Sequence, residues 1–254
     1  MRSPQSYSDA LEGVTEIIHA ASPFNVSPCD NVEHVLAPAK EISSALLEAV
    51  QHYEHRVRHV VNILSFAAMV DLSQGLRPGY SYSETDWNLM TYEEAATSSN
   101  GPAVYCASKG LVEAKMWHWV FGPSEIPLGK TTPSTSLNKL KALLDASSVP
   151  ATDFAGFVDV RDVAMVAIKI IEMRDPPARR FLLGDHFDWQ TAVDILRDAF
   201  PDLHHRIPVG SPGYVQQEPV YSLITGDLRS MLKTSFTSLE KTLQDTFQQF
   251  LSAK

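Results

Sequence analysis

The sequence predicts an α/β fold in which a parallel sheet carries a chemical site at the carboxyl ends of its strands. Three observations predict it. Two short β-branched apolar runs, 14–21 (VTEIIHAA) and 57–68 (VRHVVNILSFAA), flank a stretch of helical periodicity. A later helical pattern carries Tyr105 and Lys109 four residues apart, on one face. The composition, 44% hydrophobic and 20% charged over 254 residues, suits one large domain or a domain plus a lobe.

Residues 14–21 end in Ser22-Pro23 and so read as a buried strand followed by a loop. Pro38 fits a first helical turn, and Ile42, Leu46, Leu47 and Val50 recur at helical spacing before the polar stretch 51–55. Residues 57–68 read as a second buried strand, short, β-rich and bounded by charge at its start. Strand, helix and strand in that order predict a right-handed parallel unit. Residues 73–102, rich in Gly, Ser, Pro and Asn, read as a loop, and 103–119 as a helix. Beyond it, 123–136 is loop-like, 137–144 a short helix, 179–184 (RRFLLG) a strand and 188–200 an amphipathic helix. Thr237-Ser-Leu-Glu240 matches a capping box that opens a last helix burying Leu243, Phe247, Phe250 and Leu251. The change of pattern divides the chain into a sheet domain, 1–135, and a lobe, 136–254, interleaved with the last sheet strand at about 179–184.

A formal charge of −9 argues against nucleic acid, whose phosphates need a basic face. The stretch 1–13 has no apolar core of signal type. The most apolar run, 57–72, is broken by Arg58, His59, Asn62 and Asp71, so no membrane partner is expected and the cytoplasm is the expected location. Cys29 and Cys106 have neither metal nor disulfide spacing, which suits a reducing compartment. His52, His55 and His59 straddle a helix end and a strand start with no further ligand, so no metal is expected. Asp159, Arg161 and Asp162 read as a charge cluster at a helix start, and Met116, Trp117 and Trp119 as core or interface.

Tyr-x-x-x-Lys alone is a weak signal, but its setting strengthens it. Ser65 stands at the carboxyl end of a predicted parallel strand, where doubly wound sheets place their ligand crevice. A carbonyl that accepts hydride develops negative charge on oxygen, and a phenol can supply the proton. A cationic Lys109 favours phenolate and should bring the Tyr105 pKa toward neutrality. Ser65 would donate a hydrogen bond to the same oxygen.

At these residues the chain resembles the extended short-chain dehydrogenase/reductases of the NAD-dependent epimerase/dehydratase superfamily, in the subgroup of dihydroflavonol 4-reductases and fungal ketoreductases. IIHAASPF (17–24) resembles the family's fourth strand and its cofactor-contacting turn. HVVNILSFAAMV (59–70) is similar to the fifth strand, with Ser65 at the catalytic serine position. AVYCASKGLVEAKMW (103–117) matches the active-site helix, and FAGFVDVRDVA (154–164) and FPDLHHRIPVGSPG (200–213) match later segments. The resemblance implies Ser65, Tyr105 and Lys109 as catalytic residues, and Ala20, Ala21, Ser22, Tyr105 and Lys109 as contacts to NADP(H). It implies a Rossmann-like doubly wound sheet and a small C-terminal substrate lobe.

Two departures stand beside the matches. No strand, Gly-x-x-Gly-x-x-Gly turn and helix precede Tyr7, and the family's sixth strand is missing between Trp119 and Val120. The expected sheet is therefore incomplete and N-terminally truncated, with an exposed edge through which a homodimer could form. The resemblance implies NADPH-dependent reduction of a small-molecule ketone or aldehyde in fungal secondary metabolism. An alternative keeps the pocket without a cofactor, for cyclisation (including pericyclic), isomerisation or dehydration. A second alternative is an inactive truncated remnant.

Overall fold

The computed structural model describes residues 3–121, 139–152, 154–173, 179–214 and 220–252, with main chain alone at 118–121 and 226–227. These residues form two units that interleave along the chain. The first takes described residues 3–75, 86–121 and 170–173, and the second takes 76–85, 139–152, 154–169, 179–214 and 220–252.

In the first unit, β1 (Glu16–His19) pairs in parallel with β2 (His59–Asn62), from Glu16 opposite His59 to His19 opposite Asn62. The β-branched residues of both runs favour this pleated ladder. The Glu16 carboxylate accepts from Arg58 at 2.6 Å and contacts His59 Nδ1 at 2.8 Å, across the first rung of that ladder. The second strand stops at Asn62, well short of the predicted Ala68. Ser65 Oγ accepts from Ala67 N at 3.2 Å and caps a 3-10 turn, Phe66–Ala68. Here a local hydroxyl-to-backbone bond competes successfully with the ladder.

The strands are linked through α2 (Ala37–Tyr53), with Pro38 in its first turn as predicted and a π-helical turn, Val32–Leu36, before it. Leu46, Ala49 and Val50 pack with Tyr7 and with Leu11 of α1 (Ser8–Leu11), whereas Ala39 and Leu47 pack with Val112 and Met116. Burying each large aliphatic side chain is worth roughly 1.5–3 kcal/mol, so α2 is held by its packing more than by its helix propensity. Just past α2, the Glu54 carboxylate accepts from Gly13 N at 2.9 Å and from the Arg56 guanidinium at 2.7 and 2.8 Å. The bond from Arg56 is the main cause that lowers the Glu54 pKa to about 2.

The predicted loop 73–102 contains more structure than its composition suggests. It holds β3 (Ser81–Tyr82) and α3 (Tyr92–Thr97), and α4 (Gly101–Phe121) already begins within it. A full capping box starts α3: Glu94 N donates to Thr91 Oγ1 at 3.2 Å, and Thr91 N donates to the Glu94 carboxylate at 2.8 Å. Helix α4 continues through 119–120 to Phe121, and the whole predicted loop 123–136 lies outside the described residues.

In the second unit, β3 pairs in parallel with β6 (Ser222–Leu223), and β4 (Gly156–Phe157) pairs antiparallel with β5 (Asp185–His186). The predicted strand 179–184 is not one. Arg179 donates to the Glu84 carboxylate at 2.7 Å and Arg180 to the Glu84 carbonyl at 2.9 Å, and the strand pairing begins only at Asp185. The helices are α5 (Val160–Ile171), α6 (Trp189–Ala199), α7 (Gly226–Leu232) and α8 (Leu239–Ser252). Asp188 caps α6, accepting from Thr191 N at 2.8 Å and from Thr191 Oγ1 at 2.6 Å.

The core of this unit gathers Trp189, Val193, Leu196, Leu243 and Phe247, with Phe250 partly buried against it. Leu251 is exposed, contrary to its predicted burial. The last helix also starts later than the Thr237 motif implies. Ser238 Oγ accepts from Lys241 N at 3.2 Å, while Thr237 donates its N–H to Asp162 at 2.7 Å. Asp159 accepts from Arg161 and from Thr242 Oγ1, so the charge cluster at 159–162 ties α5 to α8. The guanidinium of Arg161 holds the Asp159 carboxyl well below the usual carboxylate range.

Candidate active site

The parallel pairing of β1 and β2 delivers two loops at the same end of the ladder, 20–24 after β1 and 63–65 after β2. Helix α4 packs on the turn that follows Ser65. Gly110 permits the approach: a Cβ there would stand 3.2 Å from Asn88 Cβ and 3.4 Å from Ala68 O. Asn88 fixes the same turn by donating its N–H to Ala68 O at 2.8 Å and its side-chain amide to Val70 O at 2.6 Å. These contacts bring Tyr105 and Lys109, on α4, to the loops at the strand ends.

The Ser65 side chain stands near enough to the Tyr105 phenol to favour its ionised form. Lys109 Nζ donates to Ser22 Oγ and, at 2.7 Å, to the Pro23 carbonyl. It also lies 4.7 Å from the centre of the Tyr105 ring. The Phe24 ring stacks obliquely on Tyr105, with centroids 4.7 Å apart. Ala20 and Ala21 lie on the same loop, Ala20 exposed and Ala21 half-buried. Ser22, Ser65, Tyr105 and Lys109 therefore form one cluster, and the alanines flank it in sequence.

Sequence reasoning did not single out Phe24 or the Pro23 carbonyl. Phe24 was legible as an aromatic directly after Ser-Pro. A backbone acceptor leaves no side-chain signature.

Burial governs the electrostatics. Lys109 is 2% exposed, and desolvation lowers its pKa to about 7, with Cys106 opposing. Burial raises the Tyr105 phenol, and the bond with Ser65 opposes that rise. The Cys106 thiol is pushed up to about 12 by burial and is not a nucleophile here. The expected drop of the phenol toward neutrality is therefore absent. A lysine that is itself half neutral near pH 7 exerts too little charge to offset desolvation. At neutral pH the phenol keeps its proton.

No protein-family model matches the chain. The NADPH-dependent methylglyoxal reductase GRE2 of Saccharomyces cerevisiae is 28% identical over 262 residues, which span 92% of this chain and 76% of that protein. The ketoreductase azaE of Aspergillus niger is 25% identical over 278 residues, 97% of this chain and 79% of its own length. The crystal structure of yeast methylglyoxal/isovaleraldehyde reductase Gre2 complexed with NADPH superposes with a TM-score of 0.83 at 25% identity, over 98% of this chain and 80% of that one.

The chain is similar, over nearly its whole length, to these carbonyl reductases.

Its fold is accordingly of the α/β Rossmann type. The clustered residues fit the nicotinamide-ribose end of a dinucleotide on their own chemistry. Lys109 has three N–H donors and the described residues use two, so one remains for a ribose hydroxyl. Among the described residues, no group of three or more His, Cys, Asp or Glu is placed to hold a metal ion. No helix among them is long and apolar enough to cross a membrane. Both cysteines are free, Cys29 exposed and Cys106 buried.

Proposed function

We propose that this chain is an NADPH-dependent reductase of small-molecule ketones or aldehydes, acting in the cytoplasm in fungal secondary metabolism. The observation that carries the reading is the convergence of Ser65, Tyr105 and a buried Lys109 at the carboxyl ends of two parallel strands. The named reductase activities of the relatives support it, and they favour reduction over a cofactor-free reaction.

The dinucleotide, when bound, supplies hydride to the carbonyl carbon. The chain's own residues handle the oxygen. Ser65 donates a hydrogen bond to it, and Tyr105 gives it the proton of its phenol. The raised phenol pKa suits a proton donor, because it keeps that proton in place until charge develops on the oxygen. Lys109 turns its remaining N–H toward the ribose, and Ala20, Ala21 and Ser22 form the loop against the nicotinamide end. The second unit serves as the substrate lobe. The edge of β1 away from β2, which has no strand partner among the described residues, joins two copies of the chain.

Fluorescence titration with NADPH and carbonyl-dependent NADPH consumption test the reading. Micromolar binding that weakens in Lys109→Ala, with kcat lowered on the order of 10²–10⁴-fold in Tyr105→Phe, is the expected result. Absence of binding at millimolar NADPH and NADH would overturn it.

A further inference from the structure

Lys109 is charged only where the protein holds it charged, and the holding groups are few. Its ammonium is sequestered from water and pairs with no carboxylate among the described residues. The titratable groups facing it are Tyr105 and Cys106, both on α4 and both pushed by burial toward their neutral forms. The elements packed against α4 are α2, α3 and the turns 32–36, 66–68 and 72–74, and none of them contributes a charged group to it. What remains is the loop after β1, with the Ser22 hydroxyl and the Pro23 carbonyl as acceptors. The same loop continues into Phe24, which stacks on Tyr105.

We infer that Ser22 is a positioning residue for the reductase reaction: its hydroxyl fixes the Lys109 ammonium, holding the charge beside the Tyr105 ring and leaving the free N–H for the ribose. This role rests on the carbonyl-reductase reading and differs from that of a simple nucleotide contact. An acceptor that bonds the charged form raises a lysine pKa, so removing it must lower that pKa further. The folded-state value of about 7 leaves the charge poised, and a small change in its acceptors alters the fraction of active enzyme near neutrality. The Pro23 carbonyl cannot be removed by substitution, which makes Ser22 the adjustable half of the pair.

The experiment compares the wild type with Ser22→Ala and Ser22→Thr. If activity needs the ammonium, kcat falls as pH rises through the Lys109 pKa. In Ser22→Ala that fall moves to lower pH by about one unit, while KM for the carbonyl changes less than about twofold. Ser22→Thr, which keeps the hydroxyl, restores the profile. An unmoved pH profile with weakened NADPH affinity alone would overturn the proposal and leave Ser22 a nucleotide contact.

A second readout does not need activity. Lys109 is folded with a lowered pKa, so the cost of its buried charge is complete below about pH 7 and is relieved as pH rises toward 10.5. Urea unfolding across pH, referenced to Lys109→Met with and without Ser22→Ala, locates the onset of that relief. An onset that moves to lower pH in Ser22→Ala supports the Ser22–Lys109 link even if no variant reduces a carbonyl, in which case only the reductase reading fails. An onset that stays in place overturns the link itself.

Discussion

His19 closes β1 with its ring buried, and burial lowers its pKa to about 4 from an ordinary 6.5. The imidazolium is thus disfavoured in the fold, so stability is lost as pH falls from 6.5 to 4. Glu54 acts in a different window: with its pKa lowered to about 2 by Arg56, its contribution is present above 4.5 and lost as pH falls through 2. His19→Gln should flatten the upper part of the acid-unfolding curve, by on the order of 3 kcal/mol between pH 6.5 and 4. Its lower part should stay unchanged, and urea unfolding at fixed pH values measures both. That Ser65, Tyr105 and Lys109 come together was legible in the sequence, from a strand end and a four-residue helical spacing. Their ionisation was not. It depends on how much water the fold excludes, which residue type alone does not encode.

Helices α4 and α6 were readable to within two residues at each end, and α2 at its start, whereas α2 runs on past Val50 to Tyr53 in a stretch whose polar side chains hid the helix. Elements of two residues, such as β3, have no period to read. Helix α3 was missed although Thr91 and Glu94 spell a capping box, because the surrounding Gly, Ser and Asn dominated the composition. The strand expected at 179–184 failed for a different reason: an apolar run forms a strand only where another backbone offers a ladder.

Two expectations belong at this scale. Asp188→Ala removes the cap of α6 and should cost the second unit about 1–2 kcal/mol in chemical denaturation, with the Ser65–Tyr105–Lys109 cluster of the first unit unaffected. Gly110→Ala should lower kcat roughly tenfold or more while the chain stays folded, because displacing α4 from the turn after Ser65 separates groups whose placement sets the rate. Steady-state kinetics beside circular dichroism would separate that outcome from simple unfolding.

At the scale of the molecule, a net charge of −9 makes copies of the chain repel one another, and an apolar side chain on an open strand edge works against that repulsion. Ile18 is 44% exposed, and β1 has β2 as its sole strand partner among the described residues. If two copies meet at that edge, Ile18→Lys should convert dimer to monomer in sedimentation velocity, since a charge on an edge strand opposes pairing. An unchanged sedimentation coefficient would place the contact elsewhere.

The fork of Glu16 onto Arg58 and His59 acts as an index mark for the whole site. A slip of one residue between β1 and β2 would carry the loop bearing Ser22 about 3.3 Å past the loop bearing Ser65, and no rotamer change could realign the two hydroxyls. The alignment of the two loops is thus marked at the far end of the ladder, by a carboxylate outside the Ser65–Tyr105–Lys109 cluster.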